Sequence, residues 1–261
     1  MTVRSVIGQD AGCTGRMGSV TELPDPPVRP DPPVRPDPPA RPDPPARPHV
    51  PVRPPVTVRP QVTVRPAVDQ TRAVVLVLPG GTEASTARTS PRQLPARRMR
   101  SFAIGLHRAG RALGLAAWTV HYRYRGWNAE QASPLPDIGW ALDQVREQHG
   151  DVPVVLLGHS MGGRAALRMA GDRSVRAVAA FAPWLPKGEP EEQLAGRRLL
   201  IAHGSLDRVT SPRASHRYAD RARAAGVDVT WRLVRGDTHA MLIRFRTWQR
   251  LAIGFTRDSL T

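Results

Sequence analysis

The stretch Val154-Val155-Leu156-Leu157-Gly158-His159-Ser160-Met161-Gly162-Gly163 decides how this 261-residue chain is read. Four aliphatic residues in a row are too few for a helix and read as a strand buried on both faces. A sharp turn follows, and a helix begins at Met161. The pattern is G-x-S-x-G. A serine at the apex of a strand-to-helix turn holds its hydroxyl above the end of the sheet. There the free amides and the positive end of a helix dipole favour negative charge. Gly158 and Gly162 remove side chains that would crowd the neighbouring strand and helix. The pentapeptide alone is weak evidence, because a glycine-rich turn can carry an incidental serine. Its place between an apolar strand and a helix makes it specific for a nucleophile.

Working outward, short apolar runs alternate with helical patterns. Strands are expected at 73–78, 115–120, 154–157, 175–181, 198–202 and 227–234. Helices are expected at about 95–110, 137–149, 161–170, 212–225 and 240–255. This alternation predicts an α/β fold, a mainly parallel sheet with helices on both faces. In such sheets the chemistry lies beyond the carboxyl ends of the strands. A serine hydroxyl needs a base, and the base needs an orienting acid. His203-Gly204-Ser205-Leu206-Asp207 puts an acid in the loop after one strand. Gly236-Asp237-Thr238-His239 puts a histidine after the next. The order Ser160, Asp207, His239 suits this architecture, and the intervals leave room for the intervening helix and strand.

Other candidates read differently. His159 reads as packing beneath the site and His203 as support for the acid loop. Asp237 reads as a turn residue and Glu189 as a distant alternative acid. For the oxyanion, the Met161 backbone N–H supplies one donor. Gly81 or Thr82, in Leu78-Pro79-Gly80-Gly81-Thr82, supplies the other, and the sequence leaves that choice open. Trp127 and Trp184 follow strands on the same side. They are expected to line a substrate pocket, with packing against adjacent loops as the alternative. Only about 13 residues separate Pro183 from Arg197, too few for a helical lid, so an open cleft is expected.

Together these residues resemble the α/β-hydrolase superfamily, and within it small actinobacterial serine hydrolases related to dienelactone hydrolase-like esterases. The likeness covers about residues 72–258 and includes Tyr122-Arg123-Tyr124-Arg125-Gly126-Trp127-Asn128. It implies a Ser160–Asp207–His239 triad and a sheet whose first antiparallel strands are reduced or absent. Two departures stand out. Pro79-Gly80 takes the place of a His-Gly found in many relatives, and dienelactone hydrolases commonly use Cys where this chain has Ser160. The resemblance therefore carries the hydrolase reaction and not dienelactone as substrate. The expected substrate is a small-molecule ester. Thioesterase, amidase or acyltransferase chemistry on the same triad is the alternative, and a non-catalytic binding protein a more remote one.

Composition divides the chain. Of 28 Pro, 18 fall in residues 1–66, where Pro24 opens the decaying hexapeptide array DPPVRP-DPPVRP-DPPARP-DPPARP-HVPVRP-PVTVRP-QVTVRP. Such a segment has little apolar surface to bury and reads as disorder or a polyproline spacer over residues 1–69, ahead of a hydrolase domain over 70–261. A ligand for a proline-recognising domain is the functional alternative to a repeat without a role. The last copies alternate β-branched residues, and one of them suits an edge strand. The net charge is +16, of which 29 basic and 15 acidic residues place +14 in residues 70–261. Lys187 is the only lysine among 38 basic residues, a bias that reads as high-GC coding rather than a nucleic-acid motif. Cys13 is the only cysteine, which excludes a disulfide framework within the chain and a cysteine zinc site. No apolar run reaches a membrane span and no secretory h-region is visible, so no membrane partner and a cytoplasmic location are expected. No metal or organic cofactor is indicated, and the oligomeric state is not readable.

Overall fold

The computed structural model describes residues 58–261. The hexapeptide array before residue 58 lies outside them. Seven strands form one sheet: β1 (Gln61–Arg65), β2 (Ala73–Leu78), β3 (Leu115–His121), β4 (Val154–His159), β5 (Val175–Phe181), β6 (Arg198–Gly204) and β7 (Asp228–Val234). Their order is β1-β3-β2-β4-β5-β6-β7. β1 runs antiparallel to β3, with Val62 opposite Val120, and every other pairing is parallel. The strand expected from the last array copies is β1. The sheet thus begins upstream of the boundary at residue 70 that composition indicated. The reason is local: Gln61-Val62-Thr63-Val64-Arg65 alternates polar and β-branched residues, which fits an edge, whatever the proline content around it.

The five helices are α1 (Leu94–Ala109), α2 (Pro134–His149), α3 (Met161–Arg168), α4 (Pro212–Ala224) and α5 (Phe245–Asp258). Side chains alternate across the sheet, so each strand feeds two cores. Val74, Leu76, Leu156, Val178 and Ile201 pack with α2, α3 and α4. Val75, Val77, Val155, Leu157 and Leu200 pack on the other face with Phe102 of α1 and Trp248 of α5. Covering both faces explains why the central strands are apolar at every position.

The chain leaves β2 toward β3 on one side and enters β4 on the other. The strand order therefore reverses between β2 and β4, and a crevice opens beyond their carboxyl ends. The loop after β2 and the turn after β4 meet in that crevice. Residues 182–197, between β5 and β6, hold only a short 3₁₀ turn, Glu192–Leu194.

Candidate active site

Ser160 stands at the switch point, between β4 and α3. Its backbone has φ 56° and ψ −119°, a conformation that strains an L-residue by roughly 1–3 kcal/mol. Three backbone bonds hold it: its N–H donates to the Phe181 carbonyl at 3.0 Å, and its carbonyl accepts from the Arg164 and Trp184 amides, each at 3.1 Å. The flanking glycines are required by contact. A Cβ at Gly158 would stand 2.1 Å from the Gly162 carbonyl oxygen, and one at Gly162 would stand 2.2 Å from that of Leu78.

Asp207 lies in the loop after β6, and its buried carboxylate is saturated with donors. Oδ1 accepts from the Val209 and Thr210 amides at 2.8 and 2.9 Å. Oδ2 lies 2.8 Å from His239 Nδ1, 3.0 Å from His203 Nε2 and 2.9 Å from the Thr210 hydroxyl. Burial alone would raise this carboxyl. Hydrogen bonds from His203, His239 and the Thr210 amide, with the charge of His239, outweigh burial and hold it well below the usual carboxylate range. An ionised carboxylate only accepts, so both imidazoles carry a proton on the nitrogen facing Asp207. His203 Nδ1 then accepts from the Ser215 hydroxyl at 2.9 Å. His239 is left with a bare Nε2, the lone pair a general base needs. Among the described residues no hydrogen bond joins Ser160 Oγ to the His239 ring. Such bonds commonly tighten only when substrate is bound.

His159, next to the nucleophile, lies beneath the base. Its ring sits 4.7 Å from that of His239, and its Nε2–H donates to the His239 carbonyl at 2.9 Å. Burial, then the charges of His239 and Arg98, push its pKa down to about 3, so it stays neutral near pH 7.

On the oxyanion side, the Thr82 N–H already donates to the Arg125 carbonyl at 2.9 Å. Gly81 is pressed so closely that a Cβ would stand 2.2 Å from Arg125 O and 2.5 Å from Met161 Cε. Among the described residues neither the Gly81 N–H nor the Met161 N–H has a backbone acceptor. Of the two candidates after β2, Gly81 keeps a free donor and Thr82 does not.

Of the two tryptophans expected at a pocket wall, Trp127 packs inside the fold and Trp184 is half-buried. Trp127 is buried, and the Arg164 guanidinium lies over its ring at 3.8 Å and over Trp184 at 4.7 Å. Arg164 sits one helical turn past Ser160 and stacks between the rings, which takes Trp127 out of the cleft. Its Nε pairs with buried Glu189 at 2.7 Å, and Glu189 also pairs with Arg168. Glu189, the distant alternative acid, is therefore committed to these arginines. Asp237 is buried and accepts from the Thr238, Ile243 and Arg244 amides and from Trp248 Nε1.

Sequence reasoning missed two contacts, Thr210 to Asp207 and Arg164 to the tryptophans. The spacing of Arg164 four residues after Ser160 was the available signal. Among the described residues no cluster of three or more His, Cys, Asp or Glu is placed to hold a metal, and no helix is long and apolar enough to cross a membrane.

The profile of the family described as α/β hydrolase fold matches residues 73–222. No curated protein sequence matches. Among solved structures, esterase PE8 superposes with a TM-score of 0.59 at 18% identity, covering 77% of this chain and 100% of that one. Est1E from Butyrivibrio proteoclasticus gives 0.57 at 13%, covering 77% and 94%. An α/β serine hydrolase without lid from Xanthomonas campestris gives 0.56 at 18%, covering 76% and 89%. At such identities the likeness is one of fold. The profile match spans more than half of the chain, and on that ground the chain belongs to the α/β hydrolase fold family.

Proposed function

We propose that this protein is a serine hydrolase that cleaves carboxylic esters of small molecules. The observation that carries the reading is the 2.8 Å bond from His239 Nδ1 to an Asp207 carboxylate held ionised by four further donors. It sets the tautomer that leaves Nε2 free at the mouth of the crevice where Ser160 stands. Nε2 takes the Ser160 proton as Oγ attacks the ester carbonyl. The Met161 and Gly81 amides then stabilise the oxyanion of the tetrahedral intermediate. Collapse returns the proton to the leaving alcohol and leaves an acyl-serine. Water deprotonated by His239 attacks the acyl-serine and releases the acid.

The short 182–197 segment leaves the crevice without a helical cover, which suits soluble esters. One of the compared structures is named as an esterase and another as a serine hydrolase without lid. A fluorophosphonate probe is expected to label Ser160 in the folded protein. Ser160→Ala is expected to lower kcat/KM on p-nitrophenyl esters by at least about 10⁴-fold. Full activity in Ser160→Ala would refute the assignment. Comparing kcat/KM on matched ester, thioester and amide substrates reads out which bond is preferred.

A further inference from the structure

The described residues expose eight large hydrophobic side chains, and five of them lie on or beside the two loops that follow β6 and β7. Leu206 and Val209 flank Asp207, Leu233 is the last residue but one of β7, and Leu242 and Ile243 follow His239. Their exposures run from 45% to 74%. Arg208, Arg213, Arg232, Arg235, Arg244 and Arg246 surround them, all exposed. Within residues 205–213 and 232–246 the only acids are Asp207 and Asp237, and both are buried. The loops therefore present aliphatic side chains and guanidinium groups and no exposed carboxylate. A compositional excess of arginine accounts for the charge. It does not account for the clustering of aliphatic side chains among the arginines.

Part of this surface is joined by two hollows that meet at Leu233. An open hollow of about 540 Å³ is lined by Arg208, Val209, Arg213 and Leu233. A second of about 420 Å³ shares Leu233 and adds Arg235 and Arg244. The loops are also tied to each other, with Leu206 N–H donating to the Asp237 carbonyl and Gly236 N–H to the Ser205 hydroxyl. Met241 turns inward, fully buried at φ 56°, and Asp237 pins the Ile243 and Arg244 amides. Leu242 and Ile243 are thus held outward by a braced loop.

We infer that this rim docks the mouth of the crevice onto an anionic lipid surface. Aliphatic tips projecting between guanidinium groups match acyl chains lying beneath phosphates, and nothing in the pattern needs a membrane span. The expectation of no membrane partner rested on the missing span, and it does not bear on peripheral docking. An acidic protein offers the same charge, but five exposed aliphatic tips set among arginines fit an acyl layer beneath phosphates better than a groove-and-anchor interface.

The test is sedimentation of the full chain with vesicles of phosphatidylglycerol mixed into phosphatidylcholine, against phosphatidylcholine alone. Binding is expected only to the anionic vesicles and is expected to fall as salt rises. The double variant Leu242→Asp, Ile243→Asp is expected to weaken it by at least about tenfold. Its Tm and its kcat/KM on a soluble ester should stay near those of the parent protein. Three results would overturn the inference. One is anionic-vesicle binding that the double variant leaves unchanged, which would assign it to overall charge. Another is no vesicle binding together with retention on immobilised polyglutamate that the double variant loses. The third is a dimer in light scattering that the double variant dissociates. None of these readouts uses Ser160 chemistry, so the ester-hydrolase reading stands or falls separately.

Discussion

His159 packs its neutral ring against that of His239, and that neutrality has a measurable consequence. In the unfolded chain a histidine titrates near 6.5, whereas here the value is pushed down to about 3. Between those values the unfolded state binds the extra proton, so stability falls as pH drops. The slope is about 1.4 kcal/mol per pH unit. In His159→Gln, which keeps a donor for the His239 carbonyl, thermal melts are expected to lose about 1–2 kcal/mol less than the parent protein between pH 6.5 and 5. Parallel pH profiles would count against the burial argument. Glu189 gives a second residue-scale test. Glu189→Ala strands Arg164 between two tryptophans with no counter-charge, and about 3–5 kcal/mol of stability should go with it. Glu189→Gln, which can still accept, should lose less in chemical denaturation. At this scale the place of Ser160 at the strand-to-helix turn and the meeting of Asp207 with His239 were legible, because each of these residues follows a strand end. His203 was legible as a supporting residue, four positions before Asp207. Arg164 was readable only as lying one helical turn past Ser160, because its partners come from two other segments that only the fold brings to it.

The approach of α3 to β2 is a tight joint between elements. Gly162→Ala would set a Cβ 2.2 Å from the Leu78 carbonyl oxygen, a clash with backbone that no rotamer relieves. The expected result is about 3 kcal/mol of destabilisation and a Tm lowered by about 6–10 °C, read by calorimetry. A melt within a degree of the parent would show that α3 has room to move. Element types were readable from the apolar runs and the helical periodicity, and β5 lies at the expected bounds. α5 differs most: a helix expected from residue 240 begins at Phe245. The cause lies upstream, where the Asp237 carboxylate takes the Ile243 and Arg244 amides and holds 240–244 as a loop. Side-chain capping from outside the helix leaves no periodic mark. The same limit applied to Asp237 itself, read as a turn residue and found buried as the bracket of two loops.

Among the described residues the strands begin at Gln61 and the buried clusters take in Val62, so a chain starting at residue 58 carries all of them. Such a chain is expected to keep its Tm within about 2 °C and its kcat/KM within about twofold. A larger loss in either measurement would give the preceding residues a part in the enzyme. The antiparallel pairing of β1 also bears on how the molecule is made. Of the described strands β1 leaves the ribosome first, yet Val62 pairs with Val120, so its partner is synthesised 58 residues later. During that wait a bare apolar strand would invite the wrong neighbour. Gln61, Thr63 and Arg65 at every second position make β1 a poor template for another chain, and it can wait in water until β3 emerges.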